Sequence, residues 1–406
     1  MRSKRFNYGL VTAAYWGFTL TDGALRMLVL LYFYRLGYSP LEIAFLFVFY
    51  EIFGVITNLI GGWIGNRLGL KITLFSGLGI QIGALIMLAG FSPAWPLWAA
   101  VSYVTAAQAL SGVAKDLTKM SSKSAVKLLV SGDDHGGLFK WVALLTGSKN
   151  ALKGVGFFMG GALLAAYGFQ GALYAMAGAL AVLLAGCAVL LEGTIGQVNR
   201  GLKFREIFSK NPNINILSAA RLFLFGSRDI WFVVGLPLYL AATMGWSNEA
   251  VGGYLAAWVV GYGVVQALAP KILRKAAGAP DDAQSRRWIL ILIAVTAAIA
   301  AALVLNVMPV VAVLGGLIVF GFVFAVNSAI HSYLILAYTE ADKIAMNVGF
   351  YYMANAGGRL AGTVLSGLAY QWGGMLACLS LSALFLLASW ATSLRLDPPG
   401  GRVRQN

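Results

Sequence analysis

Lys153-Gly-Val-Gly-Phe-Phe-Met-Gly-Gly161 and Arg359-Leu-Ala-Gly-Thr-Val-Leu-Ser-Gly367 place a cation, then a glycine, then another glycine in the same register, 206 residues apart. Each lies in an apolar run of the length a bilayer requires, about 20 residues at ~1.5 Å per residue. A second pair of stretches agrees. Gly37-Tyr38-Ser39 followed by Glu42 is echoed by Gly245-Trp246-Ser247 followed by Glu249, and each follows a run with an aspartate near its middle, Asp22 or Asp229. Two echoes imply a duplicated chain.

Working outward, the composition is 59% hydrophobic and only 11% charged, which leaves almost no room for soluble structure. Apolar runs and their Gly, Pro and charged punctuation predict about twelve transmembrane helices, starting near residues 8, 41, 72, 96, 138, 171, 213, 249, 288, 311, 345 and 374. The expected organisation is an N-terminal six-helix bundle over 1–192, a linker over 193–212 and a C-terminal six-helix bundle over 213–406. Phe204, Ile207 and Phe208 among charged residues suit a short interfacial helix in that linker. Met1–Phe6 has a basic start, but Asp22 and Arg26 interrupt the following run and no small-residue cleavage site precedes them, so we expect a retained first span.

The formal charge of +15 would suggest nucleic acid in a soluble protein. Here the excess lies in short connections such as Arg67 and Lys71, Lys123 and Lys127, and Arg286 and Arg287, as the positive-inside rule requires. It predicts an inner-membrane protein with both termini cytoplasmic and gives no reason to expect a nucleic-acid partner. Cys187 and Cys378 lie singly in apolar runs, so packing thiols are expected, without a disulfide framework or thiolate metal site. There is no phosphate-binding loop and no catalytic grouping around His135 and His331, the only two histidines. We therefore expect neither an enzyme nor a primary pump, and no cofactor.

Basic side chains inside spans carry the chemistry. Arg26, Lys149, Lys153, Arg228 and Arg359 stand where a cation is costly unless it holds an anion or a carboxylate. Asp22 and Arg26 are four apart and share a helix face, so they are expected to pair, as a structural bridge or as a switch that an anion opens. Lys149 and Lys153 are one turn apart, beside Ser148 and Asn150, and Lys149 is too deep to snorkel. Arg359 stands among Asn355, Gly357, Gly358 and Gly362, a small, polar face suited to an oxyanion. Adjacent Arg228 and Asp229 diverge by about 100° and are expected to find different partners. Arg221, two turns earlier, reads equally as an approach site or a snorkelling flank. Lys115, Lys119, Lys123 and Lys127 form a stripe partly offset by Asp116, either a basic vestibule or an ordinary positive flank. Glu51, Asp22, Asp229 and His331 are the candidates for proton transfer or ion-pair switching, and His331 alternatively for a satisfied hydrogen-bonding role. Asn327, Asn355 and Ser148 are candidate hydrogen-bond donors.

Gly62-Trp-Ile-Gly-Asn-Arg-Leu-Gly-Leu-Lys71 lies between the second and third runs. It resembles the Gly-x-x-x-Asp-Arg-x-Gly-Arg-Lys motif of the major facilitator superfamily: Gly62, Arg67, Gly69 and Lys71 match, while Asn66 and Leu70 depart. The resemblance implies a fold of two pseudo-symmetric six-helix bundles, and Asn66 implies a latch weaker than, or built differently from, the family's acidic one. Three further runs, Thr21 to Leu31, Ala109 to Ser124 and Phe139 to Gly154, resemble ArsJ-type organoarsenical efflux permeases. That likeness extends through most of the N-terminal half. It implies export of 1-arseno-3-phosphoglycerate, arsenate resistance, and a functional partnership with glyceraldehyde-3-phosphate dehydrogenase. The residues alone stop at a transporter of small anions in a lipid bilayer, expected to be a monomer. An organophosphate or sugar-phosphate exchanger is the nearest alternative, a transporter-like sensor the next, and a membrane-bound enzyme the last.

Overall fold

The computed structural model describes residues 4–38, 46–129, 134–191, 209–246, 248–273, 280–340 and 343–398. Twelve helical rods account for nearly all of them. α1 (Lys4–Arg35), α2 (Val48–Leu68), α3 (Leu70–Ala89) and α4 (Leu97–Leu129) come first. The helix His135–Leu190 is broken at Gly168 (φ 66°, ψ −174°), which gives α5 (135–167) and α6 (169–190). α7 (Pro212–Phe232) follows, then α8 (Asn248–Ile272), α9 (Asp282–Val304) and α10 (Pro309–Ala337). Ile344–Ser393 is broken at Gly373 and Gly374 (φ 59°, ψ −150°), giving α11 (344–372) and α12 (375–393). Gly168 and Gly374 are again 206 residues apart, in a backbone conformation essentially confined to glycine.

The rods begin within about six residues of the expected starts wherever those starts are described, because the punctuation acts as expected. Asn211 caps α7, its side chain accepting from the Asn213 N–H with Pro212 in the first turn, and Asp281 caps α9 by accepting from the Gln284 N–H. Gly69 (φ 91°) separates α2 from α3 without a loop. Among the described residues, eight helices are long and apolar enough to cross a membrane. Two of these are the broken ones, so the eight supply ten rods. The remaining two, α1 and α7, miss that standard because they carry the charged residues in question.

The chain forms two compact units. Unit 1 comprises Met1–Gly132, Ser148–Phe208 and Glu340–Met353, and unit 2 comprises Asp133–Gly147, Ser209–Thr339 and Ala354–Asn406. In unit 1, Tyr32 stacks on Phe169 at 4.0 Å between centroids, with Phe33 and Phe91 at 5.0 Å. In unit 2, Trp231 packs edge-on against Phe320 at 5.1 Å and Trp258 at 5.7 Å. Large apolar side chains such as Val182, Val189 and Trp372 point outward, 75–80% exposed, as a lipid-facing surface requires.

One helix crossing in each unit positions the charged groups. In unit 1, α1 and α5 approach so closely that a Cβ at Gly156 would lie 2.6 Å from the Leu20 carbonyl, and one at Gly160 would lie 2.3 Å from that of Ala24. In unit 2, a Cβ at Gly358 would lie 2.1 Å from the Leu222 carbonyl, and one at Gly362 would lie 2.7 Å from that of Gly226. Small residues allow such backbone contact between membrane helices. Here they set Asp22 beside Lys153 and Asp229 beside Arg359. The interfacial helix expected around Phe204 to Phe208 lies outside the described residues.

Candidate functional site

In unit 1 the α1–α5 crossing brings Lys153 Nζ to 3.2 Å from Asp22 Oδ2. Asp22 Oδ1 accepts a hydrogen bond from the Tyr50 hydroxyl at 2.5 Å. Arg26 turns to Glu51 instead, with Nη2 to Oε1 at 3.4 Å, and its guanidinium lies 5.2 and 5.3 Å from the centroids of Phe47 and Tyr50. The pairing of Asp22 with Arg26 expected from their spacing is therefore replaced by two interhelical pairs. A shared helix face makes neighbours of the two side chains, but the α1–α5 contact offers Asp22 a closer ammonium.

α4 extends this network. Lys115 Nζ lies 3.9 Å from Glu51 Oε2 and 3.6 Å from Asp116 Oδ2, and 3.8 Å from the centroid of the Tyr50 ring. Lys119 pairs with Asp116 and faces the Tyr352 ring at 4.6 Å, while Lys123 donates to the Tyr352 hydroxyl. Gly54 leaves the room this requires, since a Cβ there would lie 2.8 Å from Asp116 Oδ2. Arg26, Lys115, Lys119 and Lys153 thus meet Asp22, Glu51 and Asp116: four cations against three carboxylates. Burying such charges costs several kcal/mol per ion, which mutual pairing offsets.

In unit 2 one carboxylate serves two arginines. Asp229 Oδ1 accepts from Arg228 Nε at 2.7 Å, and Asp229 Oδ2 accepts from Arg359 Nε at 3.3 Å. This corrects the expectation that Arg228 and Asp229 need different partners. Their Cβ atoms do diverge, but the arginine stem is long enough to return to its neighbour. Phenylalanines back the pair, with Arg228 5.1 Å from the Phe225 centroid and 5.5 Å from that of Phe324. Arg221 is buried over Phe225 at 3.8 Å and donates to Asn355 Oδ1 at 2.9 Å and to the Ser328 carbonyl at 3.2 Å. Its buried head group excludes the snorkelling reading.

The other candidates are dispersed. Lys149 donates to Asn150 Oδ1 at 3.1 Å. Ser148 accepts from the Trp16 indole N–H at 3.0 Å. Asn327 is fully buried and accepts from Ser285 at 3.0 Å. His331 is also fully buried, and neither ring nitrogen has a hydrogen-bond partner among the described residues, contrary to a satisfied structural histidine. Gly69 and Lys71 of the loop motif are ordered by the fold: Lys71 donates to the Leu191 carbonyl at 2.6 Å, and Arg67 lies 5.1 Å from the Trp63 ring. The side chain of Asn66, and with it the expected altered latch, lies outside the described residues, as do Gly62 beyond its backbone and the Lys127 side chain. Cys187 and Cys378 are buried free thiols. Among the described residues no three His, Cys, Asp or Glu side chains are grouped to hold a metal.

Sequence reasoning overlooked Tyr50, a member of the unit 1 network through both its hydroxyl and its ring. An aromatic residue in an apolar run reads as core, and nothing local distinguishes this one. Asp116 was legible as an offset to the lysine stripe, though its role as partner to two lysines was not.

Three solved structures resemble the chain over nearly its whole length. The human organic anion transporter MFSD10 (TETRAN) is 15% identical with a TM-score of 0.74, over 97% of this chain and 100% of that one. A bacterial homologue of the iron transporter ferroportin in its outward-facing state is 15% identical with a TM-score of 0.73, over 95% and 99%. The Major Facilitator Superfamily transporter FucP in the outward conformation is 11% identical with a TM-score of 0.71, over 98% and 100%. At these identities the likeness is one of fold. None of the curated proteins compared matches the chain. The model of the Major Facilitator Superfamily matches residues 10–363, and the chain belongs to that family of multi-pass membrane transporters.

Proposed function

We propose that this transporter exports 1-arseno-3-phosphoglycerate from the cytosol by alternating access, conferring arsenate resistance. The observation that carries the reading is the surplus of cations over carboxylates at corresponding places in the two units: Arg26, Lys115, Lys119 and Lys153 in one, Arg228 and Arg359 in the other. The ArsJ-type resemblance of the N-terminal half supplies the particular cargo. Lysine and arginine suit phosphoryl and arsenyl oxyanions, arginine forks bidentately.

In the proposed cycle an arriving oxyanion takes Lys153 from Asp22, or Arg359 from Asp229, and the released carboxylate is free to take a proton. Glu51 acts likewise through Arg26, and His331 is the remaining proton carrier. Lys149, Ser148, Asn327 and Asn355 are secondary contacts. The halves are 1–192 and 213–406, joined through 193–212, in the inner membrane with both termini cytoplasmic. The functional unit is a monomer, and glyceraldehyde-3-phosphate dehydrogenase makes its cargo. An inside-negative potential drives a departing anion by ~2.3 kcal/mol per charge per 100 mV.

The test is arsenic accumulation in arsenate-sensitive cells expressing the chain with and without a phosphorylating glyceraldehyde-3-phosphate dehydrogenase, beside a Lys153→Ala control. Reduced accumulation that needs both proteins and an intact Lys153 supports the proposal. Unchanged accumulation together with obligatory phosphate counterflow in proteoliposomes would transfer the site to an organophosphate exchanger.

A further inference from the structure

Tyr50 on α2 touches three of the unit 1 charges. Its hydroxyl donates to Asp22 Oδ1 at 2.5 Å. Its ring centroid lies 3.8 Å from Lys115 Nζ and 5.3 Å from the Arg26 guanidinium carbon. Through Asp22 it is one step from Lys153. Groups from α1 and α4 therefore converge on a single side chain that is only 3% exposed, and α5 joins them through Asp22.

The position of this ring is built into the fold. A Cβ at Gly112 of α4 would lie 2.5 Å from the Tyr50 carbonyl and 3.1 Å from its Cα, and one at Gly54 would lie 3.5 Å from Lys115 Nζ. α2 and α4 thus meet backbone to backbone at Tyr50, with a second close approach one turn later. Two cations sharing one ring cannot be more than about 9 Å apart. Like charges at such a separation repel, and in a low-dielectric interior the repulsion is weakly screened. The electron-rich face of an aromatic ring lowers that cost and restricts both side chains before any ligand arrives.

We infer that Tyr50 is the positioning residue of the anion site: its ring holds Arg26 and Lys115 together on one aromatic side chain, and its hydroxyl fixes the Asp22 carboxylate against Lys153. This deepens the reading of the unit 1 cluster as an anion site and rests on it. Two separable contributions follow. The ring sets affinity through the two cations and the hydroxyl sets only the carboxylate, so the ring is the larger determinant of anion binding.

The test is the apparent Kd of the purified full chain for 3-phosphoglycerate, inorganic phosphate and arsenate, read from the ligand-dependent shift in unfolding midpoint. Tyr50→Phe keeps the ring and is expected to bind within about threefold of the unsubstituted chain, while Tyr50→Leu is expected to bind about tenfold more weakly. Because Tyr50→Leu can fail through misfolding, a series with phenylalanine, 4-fluoro-, 3,5-difluoro- and 3,4,5-trifluorophenylalanine at position 50 gives the decisive reading. These side chains have nearly the same shape and a progressively less negative ring face. A stepwise loss of affinity supports the inference, because a purely packing role would not follow ring electronics. A flat or rising series overturns it, and if Lys153→Ala still weakens binding the anion site itself stands. Absence of binding of all three anions by the unsubstituted chain overturns both.

Discussion

The two units arrange the same kind of charge in opposite ways. Unit 1 spreads it over four helices, so that Asp22, Glu51 and Asp116 share Arg26, Lys115, Lys119 and Lys153, with Tyr50 between them. Unit 2 concentrates it on α7 and α11, where Asp229 pairs with both Arg228 and Arg359, Arg228 lying in front of phenylalanine rings. Unit 2 has its own buried aromatic on α8, Trp258, but this one donates to the Leu317 carbonyl and packs on Trp231. A network with several carboxylates can exchange partners when one cation is taken away. A clamp built on one carboxylate has less to exchange, and disturbing it acts on two guanidinium groups at once.

The helices behind the clusters differ correspondingly. α1 runs unbroken from Lys4 to Arg35, whereas α7 stops at Phe232 and continues as a turn, Gly235–Leu238, and a π-helical turn, Tyr239–Thr243. The amide groups of Val234 and Gly235, exposed by that break, donate to the Ser366 hydroxyl at 3.2 and 3.1 Å. Ser366 corresponds to Gly160 in the 206-residue register. One repeat uses the position for backbone contact and the other for a hydroxyl that satisfies an interrupted helix.

The largest expected effect tests what the units share. On the proposed reading, Lys153→Ala and Arg359→Ala each reduce initial transport rates by roughly a hundredfold while leaving membrane insertion intact, because each removes the charged partner of a buried oxyanion. Transport assays with quantified membrane protein decide it, and normal rates in both variants would break the correspondence. Next comes the contrast between clamp and network. Asp229→Asn is expected to cost about 3–5 kcal/mol of stability by removing the carboxylate that two guanidinium groups share. Asp22→Asn, which removes the carboxylate from one ammonium, is expected to cost less. Denaturation in detergent compares them, and equal losses would mean that unit 1 redistributes no charge.

A smaller effect concerns the crossings. Gly358→Ala and Gly160→Ala should each cost about 1–3 kcal/mol through overpacking, whereas Gly357→Ala, which has nothing within 4 Å of the added carbon, should be nearly neutral. Similar values at all three positions would remove the crossings as the cause of charge placement. The smallest is Ser366→Ala, expected to cost about 1–2 kcal/mol by leaving two amides without their acceptor. An unchanged unfolding midpoint would show that the break in α7 supplies another partner.

Much of the fold could be read directly. Rod starts follow Pro212, Asp281, Gly69 and the apolar runs because capping and bilayer length are local properties. The charged residues of the site were legible as well, since a lysine or arginine in mid-span is conspicuous. Their pairing was not. Asp22 with Arg26 and Arg228 apart from Asp229 were sound readings of single helices, and both failed because a partner on another helix, or a flexible arginine stem, offered a shorter contact. Asn327 illustrates the same limit, its side-chain oxygen engaged by Ser285 on α9.

The twelve-helix membrane class, the duplication and the identity of the buried charges are therefore properties legible in the chain alone. These depend on composition, spacing and register along one chain. Only the tertiary structure decided who holds whom: Lys153 with Asp22, Arg26 with Glu51, both arginines with Asp229, and Tyr50 at the centre of one cluster. The reason is physical. A buried ion takes the nearest available counter-charge, and which group is nearest is set by helix crossings that glycines permit but do not announce.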